Sequence, residues 1–309
     1  MTILMLETIA DEAMALLETA APVILSPTPQ AQEHDLPFSE VTAIVTRGLG
    51  QLDRSLIEIC PNLKVIARCG AGLNNLDLVA ANDNAIPVVF APGINANAVA
   101  EHSLMLMMMA LRKGFHCAAE VKQNNWDCRN AFQGDDLAGK KVSIVGGGSI
   151  GGKTAALCQA FSMQVAICSR SGKGIEGLKL SMDQNLASSD LVSLHIPLTD
   201  ETYHLFSEDI IAKMKPGVLL VNTARGELVD ANAVSAALDS GQLGGYAADV
   251  IEGEKLSSKI IEHPQSIVTP HVAAMTKRTY QKMSLYTATN VIEVLLGGNP
   301  DPKSIYSNS

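Results

Sequence analysis

Aromatic side chains are scarce in this chain, 4% of 309 residues with a single Trp, so aliphatic residues and alanine must fill its core. Basic charge is short too: 23 Lys and Arg face 32 Asp and Glu, and the net −9 argues against a nucleic-acid partner. No apolar run nears the roughly 20 residues that span a bilayer, so no membrane association is expected. The longest candidate, Leu104–Leu111, reads as a buried helix segment. The start, Met1 to Glu7, has no basic flank followed by a long apolar stretch, and so no secretory signal pattern. The cysteines (Cys60, Cys69, Cys117, Cys128, Cys158, Cys168) form no Cys-x-x-Cys pair. They read as reduced thiols of a cytoplasmic protein with no metal site.

What is present is alternation. Short β-rich runs are expected at Ile3–Leu6, Val23–Leu25, Ala43–Thr46, Lys64–Arg68 and Pro87–Phe90, with helices at Asp11–Ala20 and Asp53–Cys60. A long helical stretch, Asn97–Lys113, follows without a strand. A second series supplies strands at Val142–Val145, Gln164–Cys168, Leu191–Leu194, Val218–Val221, Gly245–Ala248 and Ile267–Val268. Strands separated by helical periodicity imply an α/β fold of two doubly wound parallel sheets. We expect a discontinuous, flavodoxin-like substrate domain (residues 1–97 and 277–309) with a Rossmann cofactor domain (residues 98–276) inserted in it. The final helix, Tyr280–Leu296, returns to the first domain.

The strand Val142–Val145 runs into Gly146-Gly-Gly148-Ser149-Ile150-Gly151 and then a helical pattern. A dinucleotide pyrophosphate needs a tight turn, close backbone approach and a helix N-terminus aimed at the anion, and Gly-x-Gly-x-x-Gly between strand and helix provides all three. A purely structural glycine turn is the competing reading. An acidic residue about 20 positions on would bind the ribose 2′-hydroxyl and select NAD. Here the next strand ends in Ser169-Arg170-Ser171 with Lys173 behind, and no carboxylate. Two hydroxyls and a guanidinium suit a 2′-phosphate, so NADP(H) is expected in preference to NAD(H), which stays possible. A solvated strand-end charge is the alternative for Arg170.

Three late segments place polar residues just after strands: Asn222 to Asp230, Asp249 to Glu254, and Thr269-Pro270-His271. Ligands of open parallel sheets bind outside the carboxyl ends of the strands, so an arginine, a carboxylate and a histidine should converge near a nicotinamide. Separately, Gly70-Ala71-Gly72 follows the strand Lys64–Arg68, where bare backbone N–H groups can form an anion nest.

These stretches, with Arg68 to Asp77, Ala91 to His102 and His195-Ile-Pro-Leu-Thr199, resemble the D-2-hydroxy-acid dehydrogenase family along nearly the whole chain. The resemblance implies reduction of a small 2-keto acid to the D-2-hydroxy acid. Family spacing chooses the carboxylate: Glu254 lies 29 positions after Arg225 and matches, whereas Glu252 does not. The usual proline after it is Lys255 here. His271 is the implied proton donor, since imidazole exchanges protons near neutral pH. Glu254 would favour its protonated form, and Arg225 would hold the substrate carboxylate and stabilise growing charge.

The resemblance also gives Ala71 and Gly72 to the substrate carboxylate. It gives Ser149 and Ile150 to the pyrophosphate, His195 and Pro197 to the adenosine side, and Thr223, Ala224 and Asp249 to the nicotinamide. The family often has Asp where this chain has Asn74. Arg47 and Arg68 end strands where phosphoglycerate dehydrogenases place phosphate-binding arginines; a packed or ion-paired Arg68 is the equal alternative. Glu101 and His102 read as structural. A homodimer is implied by the family. Glyoxylate or hydroxypyruvate are the leading substrates, with phosphoglycerate dehydrogenase as the enzymatic alternative and a dinucleotide-binding corepressor as the non-enzymatic one. Formate dehydrogenases carry glutamine at the glutamate position, so Glu254 argues against that activity.

Overall fold

The computed structural model describes residues 1–307 except 169–181 and 255–258, with Glu254 described as backbone only. The chain divides into two compact units, residues 1–95 with 275–309, and residues 96–274.

The first unit holds five strands: β1 Thr2–Met5, β2 Val23–Leu25, β3 Val41–Thr46, β4 Val65–Arg68 and β5 Val88–Val89. They pair in parallel in the order β2-β1-β3-β4-β5, the flavodoxin-like arrangement. Strand alternation feeds two cores. Ile3, Met5, Ala43, Val45, Val65 and Ala67 point to one face, where Ala13 and Leu17 of the helix Asp11–Glu18 and Val291 and Leu295 of the helix Lys277–Leu296 cover them. Leu4, Ile44 and Ile66 point to the other, under Leu56 of Arg54–Glu58 and Ala80 of Leu78–Asp83. The last strand is shorter than expected because Pro87 has no N–H to give and the chain end takes over beyond it. Phe90 N donates to Ser304 O, and Tyr306 N to Val88 O, so the edge of β5 is covered. The helix Lys277–Leu296 begins three residues before the expected Tyr280 because Thr276 caps it, accepting from Thr279 N; Gly297, at φ 71°, ends it.

The second unit holds β6 Lys141–Val145, β7 Gln164–Cys168, β8 Leu191–Leu194, β9 Val218–Asn222, β10 Leu243–Ala248 and β11 Ser266–Val268. All pair in parallel in the order β11-β10-β9-β8-β6-β7. Val142, Ile144, Leu219 and Val221 face the helices Ala96–Leu111 and Ser149–Ala160. Val192, Leu194, Val218 and Leu220 face Ala231–Ser240 and its neighbours. Both faces are buried, as parallel sheets require. Strand order reverses between β6 and β8, which opens a crevice at their carboxyl ends. The long helix stops at Leu111 instead of Lys113, which takes a left-handed φ of 48° and starts a separate helix, Gly114–Lys122.

Among the described residues no helix is long and apolar enough to cross a membrane. No group of three or more His, Cys, Asp or Glu among them is arranged to hold a metal ion.

Candidate active site

The glycine turn sits at the β6–β8 crevice. Gly146 turns at φ 106° and its N–H donates to Cys168 O at 2.8 Å. A Cβ there would collide with the carbonyl of His195, which leaves β8, while one at Gly151 would collide with the Gly146 carbonyl. Gly148 meets open space and precedes the helix Ser149–Ala160 with no side-chain cap. First-turn amides, Ser149 and Ile150 among them, therefore remain for an anion beside the turn. A bare-backbone cradle next to an uncapped helix start fits a dinucleotide pyrophosphate. His195 N donates to Val145 O at 2.7 Å, and its Nε2 lies 2.9 Å from Ser193 Oγ. Burial pushes the imidazole down to about 4, so it stays neutral at physiological pH. Pro197 accepts from Thr202 Oγ1 at 2.8 Å, which fixes the strand exit. Ser169, Arg170 and Ser171 lie outside the described residues.

Three further loops leave adjacent strands at one level. Asn222, Ala248 and Val268 are in register across β9, β10 and β11. Arg225 and His271 each stand three residues beyond that line. With strands about 4.8 Å apart, their parent strands are roughly 10 Å apart. Asn222 shapes the first loop: its Nδ2 donates to Arg225 O at 2.7 Å and its Oδ1 accepts from Ala224 N at 3.0 Å. Burial lowers the pKa of the Arg225 guanidinium, with Glu227 opposing the shift, and its Nη1 donates to Ala224 O at 2.6 Å. Gly226 presses on the second loop, since a Cβ there would collide with the backbone of Ile251 and Glu252. That loop turns through Gly253 at φ 66° into Glu254, whose side chain is outside the description.

Asp249 organises the third loop. Its carboxylate is 1% exposed. Oδ1 accepts from Thr269 Oγ1 at 2.6 Å and Val272 N at 2.9 Å; Oδ2 accepts from Ala273 N at 2.8 Å. His271 N donates to the Asp249 carbonyl at 2.9 Å. Successive amides converge on an anion when the chain visits the left-handed region, and His271 does so at φ 55°. That conformation costs roughly 1–2 kcal/mol for a residue with a Cβ. His271 is exposed, so the ring reaches solvent while its backbone is clamped.

The other substrate candidates belong to the first unit. A Cβ at Gly70 would collide with the guanidinium of Arg68, so glycine there seats the arginine against the turn containing Ala71 and Gly72. Arg47 follows β3 with its Nε 3.7 Å from Glu7 Oε1 and its guanidinium carbon 5.5 Å from the centre of the Tyr280 ring. Glu7 is buried. Its Oε2 accepts from the amides of Arg47, Gly48, Leu49 and Gly50, at 2.7–3.0 Å, and from Thr46 Oγ1. The backbone nest beside Arg47 is thus filled by the protein's own carboxylate. Cys69, beside this turn, is fully buried and its thiol is pushed up by burial, which suits a core filler.

Residues 104–273 match the family described as D-isomer specific 2-hydroxyacid dehydrogenase, NAD binding domain. The chain belongs to the D-isomer specific 2-hydroxyacid dehydrogenase family. It is 34% identical over 307 residues to a D-3-phosphoglycerate dehydrogenase of Archaeoglobus fulgidus, covering 96% of this chain and 58% of the relative. It is 33% identical over 263 residues to a hydroxypyruvate reductase of Thermotoga maritima, covering 83% of this chain and 85% of that one. Among solved structures, a glyoxylate reductase from Paecilomyes thermophila superposes with a TM-score of 0.84 at 27% identity, over 99% of this chain and 97% of that chain. The chain spans about half the length of the phosphoglycerate dehydrogenases it matches. Within this family fold, Asn222, Gly226 and Glu7 are site-shaping residues that sequence reasoning passed over. A small polar residue ending a strand, and a glycine directly after an arginine, were the available signals.

Proposed function

We propose that this family member reduces a small 2-keto acid of the glyoxylate or hydroxypyruvate class to the D-2-hydroxy acid, with NADP(H) preferred over NAD(H). The observation that carries the reading is the side-by-side exit of the loops bearing Arg225, Glu254 and His271 from β9, β10 and β11, in the same sheet as the glycine turn. Arg225, charged even when partly desolvated, takes the substrate carboxylate and stabilises charge growing on the carbonyl oxygen. His271 gives that oxygen its proton, and Glu254 favours the protonated ring. Ala71 and Gly72 offer backbone N–H groups to the carboxylate. A reduced nicotinamide, when bound, supplies the hydride. The glycine turn with Ser149 and Ile150 holds the pyrophosphate, His195 and Pro197 line the adenosine side, and Thr223, Ala224 and Asp249 form the nicotinamide end. Ser169, Arg170 and Ser171 take the 2′-phosphate.

Relatives named hydroxypyruvate reductase and glyoxylate reductase support the substrate class. Arg47 and Arg68 favour a second reading, phosphoglycerate dehydrogenase, because both close adjacent strands and suit a second anionic group. The test is a panel of glyoxylate, hydroxypyruvate, pyruvate and 3-phosphoglycerate, run with both phosphorylated and unphosphorylated cofactors. Turnover of the short keto acids with NADPH is expected. Selective oxidation of 3-phosphoglycerate with NAD supports the second reading. Cofactor binding without any turnover favours a binding protein of the corepressor kind. Arg170→Ala should erode the NADPH preference, and an unchanged preference removes its role. The chain works as a cytoplasmic homodimer in this reading. Its support is the helix Gly114–Lys122, which buries no residue and shows Phe115 and Val121 to solvent near exposed Trp126 and Phe132. Light scattering should give twice the chain mass.

A further inference from the structure

Two neighbouring side chains on the helix Ala96–Leu111 reach two different loops of the site. Ser103 Oγ donates to the Val99 carbonyl at 2.8 Å, one turn back. Its lone pairs then accept from Thr223 Oγ1, 2.8 Å away in the loop that carries Arg225. His102 Nε2 lies 2.9 Å from Thr269 Oγ1, in the loop that carries His271. The Thr269 hydroxyl has one proton, and Asp249 Oδ1 at 2.6 Å takes it in preference to the Ala248 carbonyl at 3.4 Å. Thr269 Oγ1 must therefore accept from His102, which carries its proton on Nε2, with Asp249 Oδ1 3.5 Å behind. Beyond Asp249 the series ends on the amides of Val272 and Ala273, which directly follow the left-handed His271.

We infer that His102 and Ser103 are positioning residues that hold the His271 loop and the Arg225 loop in register with each other. The inference rests on the proposed function in taking Arg225 and His271 as the groups that meet substrate. The helix suits the task. It packs on β9, β10 and β11 and buries Leu104, Leu106 and Met107, so its first turns are a fixed reference for both loops. Neither loop is tied to that reference by its own sequence: the bonds cross 120 and 167 positions. A non-glycine residue at φ 55° keeps that conformation only while surrounding bonds over-determine it. Removing the His102 donor leaves Thr269 and Asp249 without their support on the helix, and His271 free to relax toward an ordinary backbone.

The test uses the full chain as wild type, His102→Ala, His102→Gln and Ser103→Ala. Two quantities are read: kcat and KM with hydroxypyruvate and NADPH, and amide hydrogen exchange at Val272 and Ala273. Displacement of a proton donor by about an ångström costs on the order of 100-fold, so His102→Ala should lose about 30- to 100-fold in kcat with the cofactor KM within about twofold. Exchange at Val272 and Ala273 should quicken by about tenfold while β6 amides keep their rates. His102→Gln, which keeps an N–H donor, should recover most of both. Ser103→Ala should lower kcat without quickening exchange at Val272. Unchanged kcat and exchange in His102→Ala, or equal losses in the Ala and Gln variants, overturn the inference. If wild type reduces no 2-keto acid but exchange responds as described, the functional reading falls and the clamp stands. If wild type is active and His102→Ala matches it in both quantities, the clamp falls and the function stands.

Discussion

Replacing Glu7 with Gln should remove more stability than any other single charge change in the first unit, in a pH-dependent way. Burial alone would raise this carboxyl, but the backbone N–H groups of Gly50, Gly48, Arg47 and Leu49 outweigh it and hold it at about 2 against an ordinary 4.5. A depression of that size corresponds to about 3 kcal/mol of stability at neutral pH. The native pKa is the lower one, so the unfolded chain takes up the proton first. The contribution is complete above 4.5 and drains away as pH falls toward 2. Glutamine keeps the shape and one accepting oxygen but turns an uncharged group toward Arg47 and weakens every bond in the nest. The variant should be about 2–3 kcal/mol less stable at pH 7, a large share of a typical folding free energy. Urea unfolding followed by far-ultraviolet circular dichroism at pH 7, 5, 4 and 3 reads the difference. The gap between wild type and Glu7→Gln should hold from pH 7 to 5 and narrow at 4 and 3. A gap of equal size at pH 7 and pH 3 would refute the argument, because a neutral hydrogen-bonding defect has no reason to titrate there.

His271→Asn keeps a residue that tolerates the left-handed backbone and deletes the imidazole. Turnover should fall about 100- to 10,000-fold while dinucleotide affinity, measured by fluorescence titration, persists; unchanged turnover would remove His271 from the chemistry. Gly226→Ala drives a methyl group into the Ile251–Glu252 backbone. It should cost about 1–3 kcal/mol and at least about tenfold in kcat, read by denaturation and steady-state rates. Gly146→Ala combines a φ of 106° with a collision against the His195 carbonyl and should abolish cofactor binding in calorimetry.

Much of the fold was legible because its signals are local. Near-continuous apolar runs in Val41–Thr46 and Val218–Asn222 announce strands buried on both faces, and glycines 146, 148 and 151 announce a turn whose crowding at Gly146 and Gly151 the structure then explains. The candidate site was legible at the strand ends, where Arg225 and His271 follow β9 and β11 at one level, on either side of the β10 loop. What holds those loops was not. Asp249 was read only for an acceptor role toward a nicotinamide, and the sequence did not announce the three bonds by which it grips the His271 loop. His102 meets Thr269 across 167 positions, and Glu7 meets its nest across about 40. No periodicity or spacing encodes such meetings, because they arise only when distant strands are brought into one sheet. The residues chosen to discriminate between the cofactors, Ser169 to Ser171, fall outside the described part of the chain.

The split composition of the first unit has a consequence for biosynthesis. Residues 1–95 emerge from the ribosome with one sheet face covered only in part, by the helix Asp11–Glu18, since the other helix over Ile3, Val45 and Val65 spans residues 277–296. The outer edge of β5 likewise waits for Ser304 and Tyr306. The inserted unit, residues 96–274, is one unbroken stretch and can condense as soon as it is made. Of the two units, the one begun earlier is therefore completed later. During that interval its aliphatic surface is a natural client for a chaperone, and a pause in translation late in the message would lengthen the exposure.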